Sequence, residues 1–354
     1  MSPMPAAAIL PSRNEPLTIS AVTTAVDLAL NDVNGLIVHA DSSDGPDTAA
    51  AFAATPTRAK TLALTGLERG KGAQILAALR RPELVEAGAV LIADTDTRAP
   101  EPGVYRALID QVRAGAALAI ADYPRYWDEA NLTNHVARPV IAAATGIDVP
   151  QPLAGDLAVS GRALAVAQQA AAELSDELAR CVAGYGVDAF LLLSAATTGP
   201  VIPVRFMEPK RHAGSFDHLP AIYDQAVPVL LHLTARWPLP PAPVHSGTDL
   251  YRATHRTLPS GRVREMVTVL DRLDPAPGRY DGDPWPLHLA RAWRAVASGM
   301  PPIEAAAQLR PHYVRHVRAW LTSAEHATPR QRARMLTAAH NCLCTELNPT
   351  AGAP

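Results

Sequence analysis

Four times within the first third of the chain, a short apolar run stops at a polar, turn-forming loop and a helical pattern or helix-capping sequence follows; no other feature constrains the fold as tightly. The runs lie at residues 6–10, 35–40, 61–66 and 90–93, and the clearest helical patterns follow at 17–30, after Gly72, and at 105–112. Repeated strand–loop–helix units predict a mainly parallel, right-handed, doubly wound α/β sheet. Further apolar runs at 116–121 and 201–206 extend it. Such sheets receive ligands at the carboxyl ends of their strands, so the loops after these runs are where chemistry is expected.

Composition limits what that chemistry can be. A chain of 354 residues, 48% hydrophobic and 19% charged, is long enough for a large α/β core and a smaller second domain. A net charge of −2 and a pI near 6.6 argue against a protein built to coat nucleic acid or an anionic membrane, so neither is expected as a partner. Cys181, Cys342 and Cys344 form neither a paired disulfide framework nor a metal knuckle, which fits a reducing cytoplasm. The first fifteen residues lack the basic and apolar regions of a secretory signal, and no apolar segment is long enough to span a bilayer.

The loops carry distinct chemistry. PSRNE (11–15) follows the first run and DSSDGPDT (41–48) the second. The third leads into RGKG (69–72), whose glycines would let backbone approach a ligand while Lys71 supplies charge at a helix start. It lacks the spacing of a phosphate-binding P-loop, and a plain helix-start turn fits equally well. The fourth run stops on Asp94-Thr95-Asp96, two carboxylates one residue apart at a strand end, able to hold a divalent cation against a phosphate-bearing substrate. Asp122-Tyr123-Pro124-Arg125-Tyr126-Trp127 is either a pocket wall or a packed loop, and Asp188 either a helix-dipole partner or a functional acid.

In this order, PSRNE, DSSDGPDT, RGKG and DTD resemble the nucleotide-sugar domain of GT-A glycosyltransferases. PLAGD (152–156), GYGVD (184–188) and EPKRHAGSF (208–216) narrow the resemblance to the retaining glucosyl-3-phosphoglycerate synthase and mannosylglycerate synthase group, over roughly residues 8–231. It implies a Rossmann-like GT-A fold, a UDP- or GDP-sugar donor, Mg²⁺ or Mn²⁺, and a small-molecule acceptor. Pro11, Arg13, Glu15, Asp41 and Ser42 would meet the base, and Gly70 and Lys71 the diphosphate. Asp94 would lie on the ribose side and Thr95 beside it at the donor, with Asp96 and His212 as metal ligands. Tyr185 would face the sugar, Leu153, Ala154, Gly155 and Asp156 the acceptor, and Asp188, Lys71 and Arg211 would carry the catalytic roles. Relatives have a small or apolar residue where Arg13 stands, which leaves the base open between uracil and guanine. They also have a hydroxyl-bearing turn where Asp156-Leu157-Ala158-Val159 stands, so a neutral or zwitterionic acceptor, and a specialised-metabolite pathway, are expected in place of phosphoglycerate.

Two rivals remain. A sugar nucleotidyltransferase would share the sheet, a lysine and an acidic metal site, but would carry a glycine-rich loop where PSRNE stands. A non-catalytic nucleotide-sugar-binding relative is opposed by the presence of Asp94, Asp96 and His212. The proline-rich stretch after Trp237 predicts a boundary between a catalytic domain at 1–236 and a helical C-terminal domain at 237–354, serving as lid or dimerisation element, so a homodimer is expected. Helical patterns there lie at 263–273, 286–297, 303–309, 313–323 and 330–347. His312, His316, His326 and His340 read as helix surface more readily than as a metal site.

Overall fold

A computed structural model describes residues 5–212, 214, 216–239, 247, 250–252, 254–275 and 282–348. Seven strands form one sheet in the order β3-β2-β1-β4-β6-β5-β7: β1 Ala6–Ser12, β2 Leu36–Asp41, β3 Lys60–Leu64, β4 Ala89–Ile92, β5 Leu118–Asp122, β6 Leu157–Ser160 and β7 Val201–Arg205. All pairings are parallel except those of β6, which runs antiparallel to both β4 and β5. β1 and β4 are buried at every position, the signature of strands covered on both faces, and this is why their sequences read as continuous apolar runs.

β6 is the element that differs from expectation. LAVS is only four residues long and leads directly into the helix Gly161–Ala172, whose N-cap Ser160 accepts a hydrogen bond from the N–H of Ala163. So short a run beside a helix start carries no strand period of its own. Its reversed direction matters. The loops after β1, β2, β3, β4 and β7 emerge at one edge of the sheet, and the segment preceding an antiparallel β6, Leu153 to Asp156, arrives at that same edge.

The chain divides into two compact units, Met1–Tyr123 with Leu153–Ala213, and Pro124–Pro152 with Gly214–Pro354. The division is therefore not at residue 236. Two excursions leave the sheet unit, and the helix Leu219–Ala235 belongs with the helical one. Most of the proline-rich stretch expected as the boundary lies outside the described residues.

The helical unit contains Arg138–Thr145, Leu219–Ala235, Arg262–Leu273, Trp285–Ala297, Pro302–Glu325 and Pro329–Leu347. The patterns at 303–309 and 313–323 are one helix that carries Pro311 in its interior. His340 and His316 are not surface groups: His340 is fully buried and meets the Tyr251 hydroxyl, while His316 lies 3.0 Å from His135 and stacks on Trp285. Trp127 is also packed, with its indole N–H on the carbonyl of Arg256, so the aromatic loop takes its packed reading there. Among the described residues, no single helix is long and apolar enough to cross a membrane.

Candidate active site

Asp94 is the hub of the sheet's carboxyl edge. One carboxylate oxygen lies 3.0 Å from the Lys71 ammonium and the other 2.9 Å from that of Lys210. Lys71 also reaches Asp188 at 2.9 Å, and Lys210 reaches Asp156 at 2.9 Å. Asp156 then accepts from the backbone N–H of Asp94 at 3.0 Å and from the Tyr123 hydroxyl at 2.9 Å. Six segments that are remote in sequence are tied by this network: the end of β4, the helix start at Lys71, the helix start at Asp188, the loop after β7, the segment before β6 and the residue after β5.

Two close approaches hold it together. A Cβ on Gly155 would stand 2.0 Å from an Asp94 carboxylate oxygen, so only glycine lets the carboxylate occupy its place. A Cβ on Gly72 would stand 1.7 Å from the carbonyl oxygen of Val182, and one on Gly70, at φ +128°, would stand 2.4 Å from that of Ala183. The glycines of RGKG thus admit the chain's own backbone. They seat the helix Lys71–Ala78 against residues 182–184, immediately before the helix Val187–Ala196 that carries Asp188. In the structure, Asp188 lies in the first turn of its helix and its carboxylate pairs with Lys71.

The electrostatics separate the acids. Burial works against the Asp94 carboxylate, but Lys210 and Lys71 outweigh it and hold its pKa far below the usual range. Burial likewise opposes the charge on Lys71, yet Asp188 and Asp94 raise its pKa. Asp188 is pushed up to about 6 by burial, against the pull of Lys71. Asp96 is also raised to about 6, first by burial and then by the Asp94 carboxylate. Four carboxylates, Asp94, Asp96, Asp156 and Asp188, share this corner with two ammonium groups, and Asp96 stands outside the lysine clamp.

The structure brings Lys71, Asp94, Asp96, Asp156, Asp188 and His212 together, with His212 Nδ1 3.9 Å from Asp96 Oδ2. Thr95 anchors the DTD turn by donating to the carbonyl of Pro11. Asp156 is fully buried and supports Asp94 and Lys210, so it lies beneath the surface an acceptor would meet. Of its neighbours, Leu153 is half-buried and Ala154 buried. Tyr185 is partly buried beside Lys71 and Asp188. Arg211, expected to carry positive charge into the site, is exposed, and its carbonyl accepts the N–H of Arg98. The buried cation is Lys210, its side chain only 5% exposed. Its signal was two adjacent basic residues in the late loop, and only burial distinguishes them.

At the other end of the edge, Arg13 is exposed and pairs with Asp44, as does Arg69. Asn14, in the left-handed region at φ 58°, bonds both Ser43 and Asp44 and pins the first loop to the second. Glu15 is partly buried and accepts from Thr18. Asp41 and Ser42 are buried, with Ser42 bonded by Gln74, which also donates to the carbonyl of Ser12.

Among the described residues, no group of three or more His, Cys, Asp or Glu side chains could hold a metal ion alone. Asp96 and His212 nevertheless offer one oxygen and one nitrogen, a donor set suited to Mn²⁺ and acceptable to Mg²⁺ when phosphate oxygens complete the shell. The excess of carboxylates over ammonium groups gives a cation an electrostatic reason to bind.

Solved structures of Mycobacterium tuberculosis glucosyl-3-phosphoglycerate synthase are similar to this chain. The complex with Mn²⁺, uridine diphosphate glucose and glycerol 3-phosphate aligns at a TM-score of 0.51 and 22% identity, over 65% of this chain and 80% of that one. The complex with Mn²⁺, uridine diphosphate and phosphoglyceric acid aligns at 0.52 and 22%, over 68% and 81%. The fold is GT-A. A GT-A sheet with β6 reversed accounts for PLAGD arriving beside DTD, as found here. No protein-family model and no curated protein matches the sequence.

Proposed function

We propose that this chain is a metal-dependent glycosyltransferase that moves a sugar from a UDP- or GDP-sugar to a small-molecule acceptor, with retention of configuration. One observation carries the reading: at the carboxyl edge of a GT-A sheet, two lysines clamp Asp94 while Asp96 and His212 stand beside them outside the clamp. A corner with more carboxylates than ammonium groups repels a diphosphate unless a divalent cation accompanies it. The similar solved synthase structures are complexes with Mn²⁺ and uridine diphosphate glucose or with Mg²⁺ and uridine diphosphate, which supports reading this edge as a site for a metal and a nucleotide-sugar donor.

Asp96 and His212 would hold the cation. When bound, Mn²⁺ or Mg²⁺ supplies charge neutralisation at the departing diphosphate. Lys71 lies at a helix start, where N–H groups and an ammonium together favour anionic oxygens, and it orients the diphosphate side of the donor. Asp188, fixed by Lys71 and raised to about 6, faces the sugar or acceptor as an orienting hydrogen-bond acceptor and need not become a nucleophile. Retention then follows if the acceptor attacks on the face from which the diphosphate leaves, with a diphosphate oxygen taking the acceptor proton.

The acceptor reading is a neutral or zwitterionic small molecule, which fits a role in specialised metabolism. Lys210 is already committed to Asp94 and Asp156, and the segment from Leu153 to Asp156 presents no cation of its own to a phosphate-bearing acceptor. The test is to incubate purified protein with UDP-glucose or GDP-mannose, Mn²⁺ and a panel of acceptors, and to measure nucleoside diphosphate release and glycoside formation. Transfer to polyol or zwitterionic acceptors exceeding that to 3-phosphoglycerate supports the reading. Efficient transfer to 3-phosphoglycerate would overturn its acceptor part, and transfer of a nucleotidyl group would overturn it entirely.

A further inference from the structure

Behind the Asp41 carboxylate lies a chain of hydrogen bonds that the proposed reaction does not use. Ser12 and Asp41 are partners across the β1–β2 ladder, and His39, two residues back along β2, lies on the same face as Asp41. His39 is fully buried and stacks on Phe52 at 4.6 Å. Its Nε2 lies 2.6 Å from Ser12 Oγ, which in turn lies 3.3 Å from Asp41 Oδ1.

The protons in this chain can be placed. The Ser12 hydroxyl donates to Asp41 Oδ1. With its one proton spent there, Ser12 accepts from His39, which requires the imidazole proton on Nε2. Nδ1 meets no partner among the described residues, and carrying a lone pair there avoids burying an unpaired N–H. Burial lowers the pKa of His39, consistent with a neutral ring.

The chain ends on one oxygen. Asp41 Oδ1 takes the Ser12 hydroxyl together with the N–H and hydroxyl of Ser43. Among the described residues every hydrogen bond to this side chain falls on Oδ1, leaving Oδ2 for a ligand. In the order β3-β2-β1-β4, the end of β2 lies two strand spacings, about 10 Å, from the diphosphate corner at β4. That is about the reach from a diphosphate across ribose to a base.

We propose that Ser12 and His39 fix the Asp41 carboxylate so that Oδ2 accepts a ring N–H of uracil or guanine, making them positioning residues for base selection against cytosine and adenine. Uracil N3 and guanine N1 carry a proton, whereas cytosine N3 and adenine N1 carry a lone pair that the carboxylate repels. The inference rests on the donor-site reading above.

The test is calorimetric titration of UDP, GDP, CDP and ADP, with Mn²⁺, into the full chain and its Ser12→Ala, His39→Phe and His39→Gln variants, each checked for a cooperative thermal transition. The unsubstituted chain prefers UDP or GDP over CDP and ADP. Ser12→Ala and His39→Phe reduce that preference about five-fold, the scale of one net hydrogen bond, and His39→Gln, which keeps a donor near the Nε2 position, retains it. Equal weakening of all four nucleotides, or an unchanged preference, overturns the positioning role while leaving the donor site standing. A variant that fails to fold shifts the decision to the remaining two, because Ser12→Ala and His39→Phe interrupt the same chain at different links. If none of the four nucleotides binds the unsubstituted chain, the donor-site reading falls together with this inference.

Discussion

At the scale of single residues, charge and burial decide which groups matter. Lys210 and Arg211 are neighbours in sequence, yet one is buried against two carboxylates and the other is exposed. Lys210→Met strands Asp156 without its ammonium partner and leaves Asp94 with Lys71 alone, and a loss of about 3 kcal/mol in urea unfolding is expected, whereas Arg211→Ala changes stability by less than about 0.5 kcal/mol. Similar losses for the two would contradict the clamp. The acids also answer pH in opposite senses. Asp94, held low, contributes stability that is present above the ordinary carboxylate range and lost as pH falls through its depressed pKa. Asp96, raised to about 6, is costly when ionised, and that cost is relieved as pH falls through 6. A cation must displace the Asp96 proton and needs a neutral His212 imidazole, so Mn²⁺ affinity should fall about ten-fold or more per pH unit below about pH 6. Titrations at about pH 5 and about pH 7 check this, and equal affinities would remove Asp96 from the metal site. The sequence showed Asp94, Asp96, Lys71 and Asp188 because each sits at a strand end or helix start. The support role of Asp156 was hidden, since a buried aspartate and an acceptor-facing one look the same in a sequence.

At the scale of elements, the site depends on backbone meeting backbone. RGKG was legible as a glycine-rich helix start, but not its partner, because residues 182–184 lie more than a hundred positions away. Gly72→Ala would force its methyl into the Val182 carbonyl and move Lys71 relative to Asp188. Thermal denaturation should show a loss of about 2 kcal/mol, with nucleotide stabilisation reduced as well. Gly103→Ala is the control, since a Cβ there meets open space, and it should be neutral or slightly stabilising. A well-tolerated Gly72→Ala would show that this approach does not position the lysine. The parallel strands were readable from their apolar runs, whereas β6 was not. Four residues between a loop and a helix cap are too few to show a period, although this strand brings Asp156 beneath Asp94.

For the whole molecule, the alternation of strands and helices was enough to predict the sheet and the edge at which its loops gather. Where the chain leaves the sheet unit and returns could not be read, because the excursion at Pro124–Pro152 is marked by contacts distant in sequence, not by composition. The proposed role of the loop edge is cation-dependent donor binding: Asp96 and His212, standing beside a lysine-clamped Asp94, would hold a divalent cation that lets a nucleotide diphosphate sugar bind. Its most direct measurement is the thermal stability of the full chain with UDP- and GDP-sugars, with and without Mn²⁺, repeated for Asp96→Ala and His212→Ala. Stabilisation by one nucleotide series that requires Mn²⁺ and is abolished in both variants is the predicted result; stabilisation that is independent of metal, or unchanged in either variant, would contradict it.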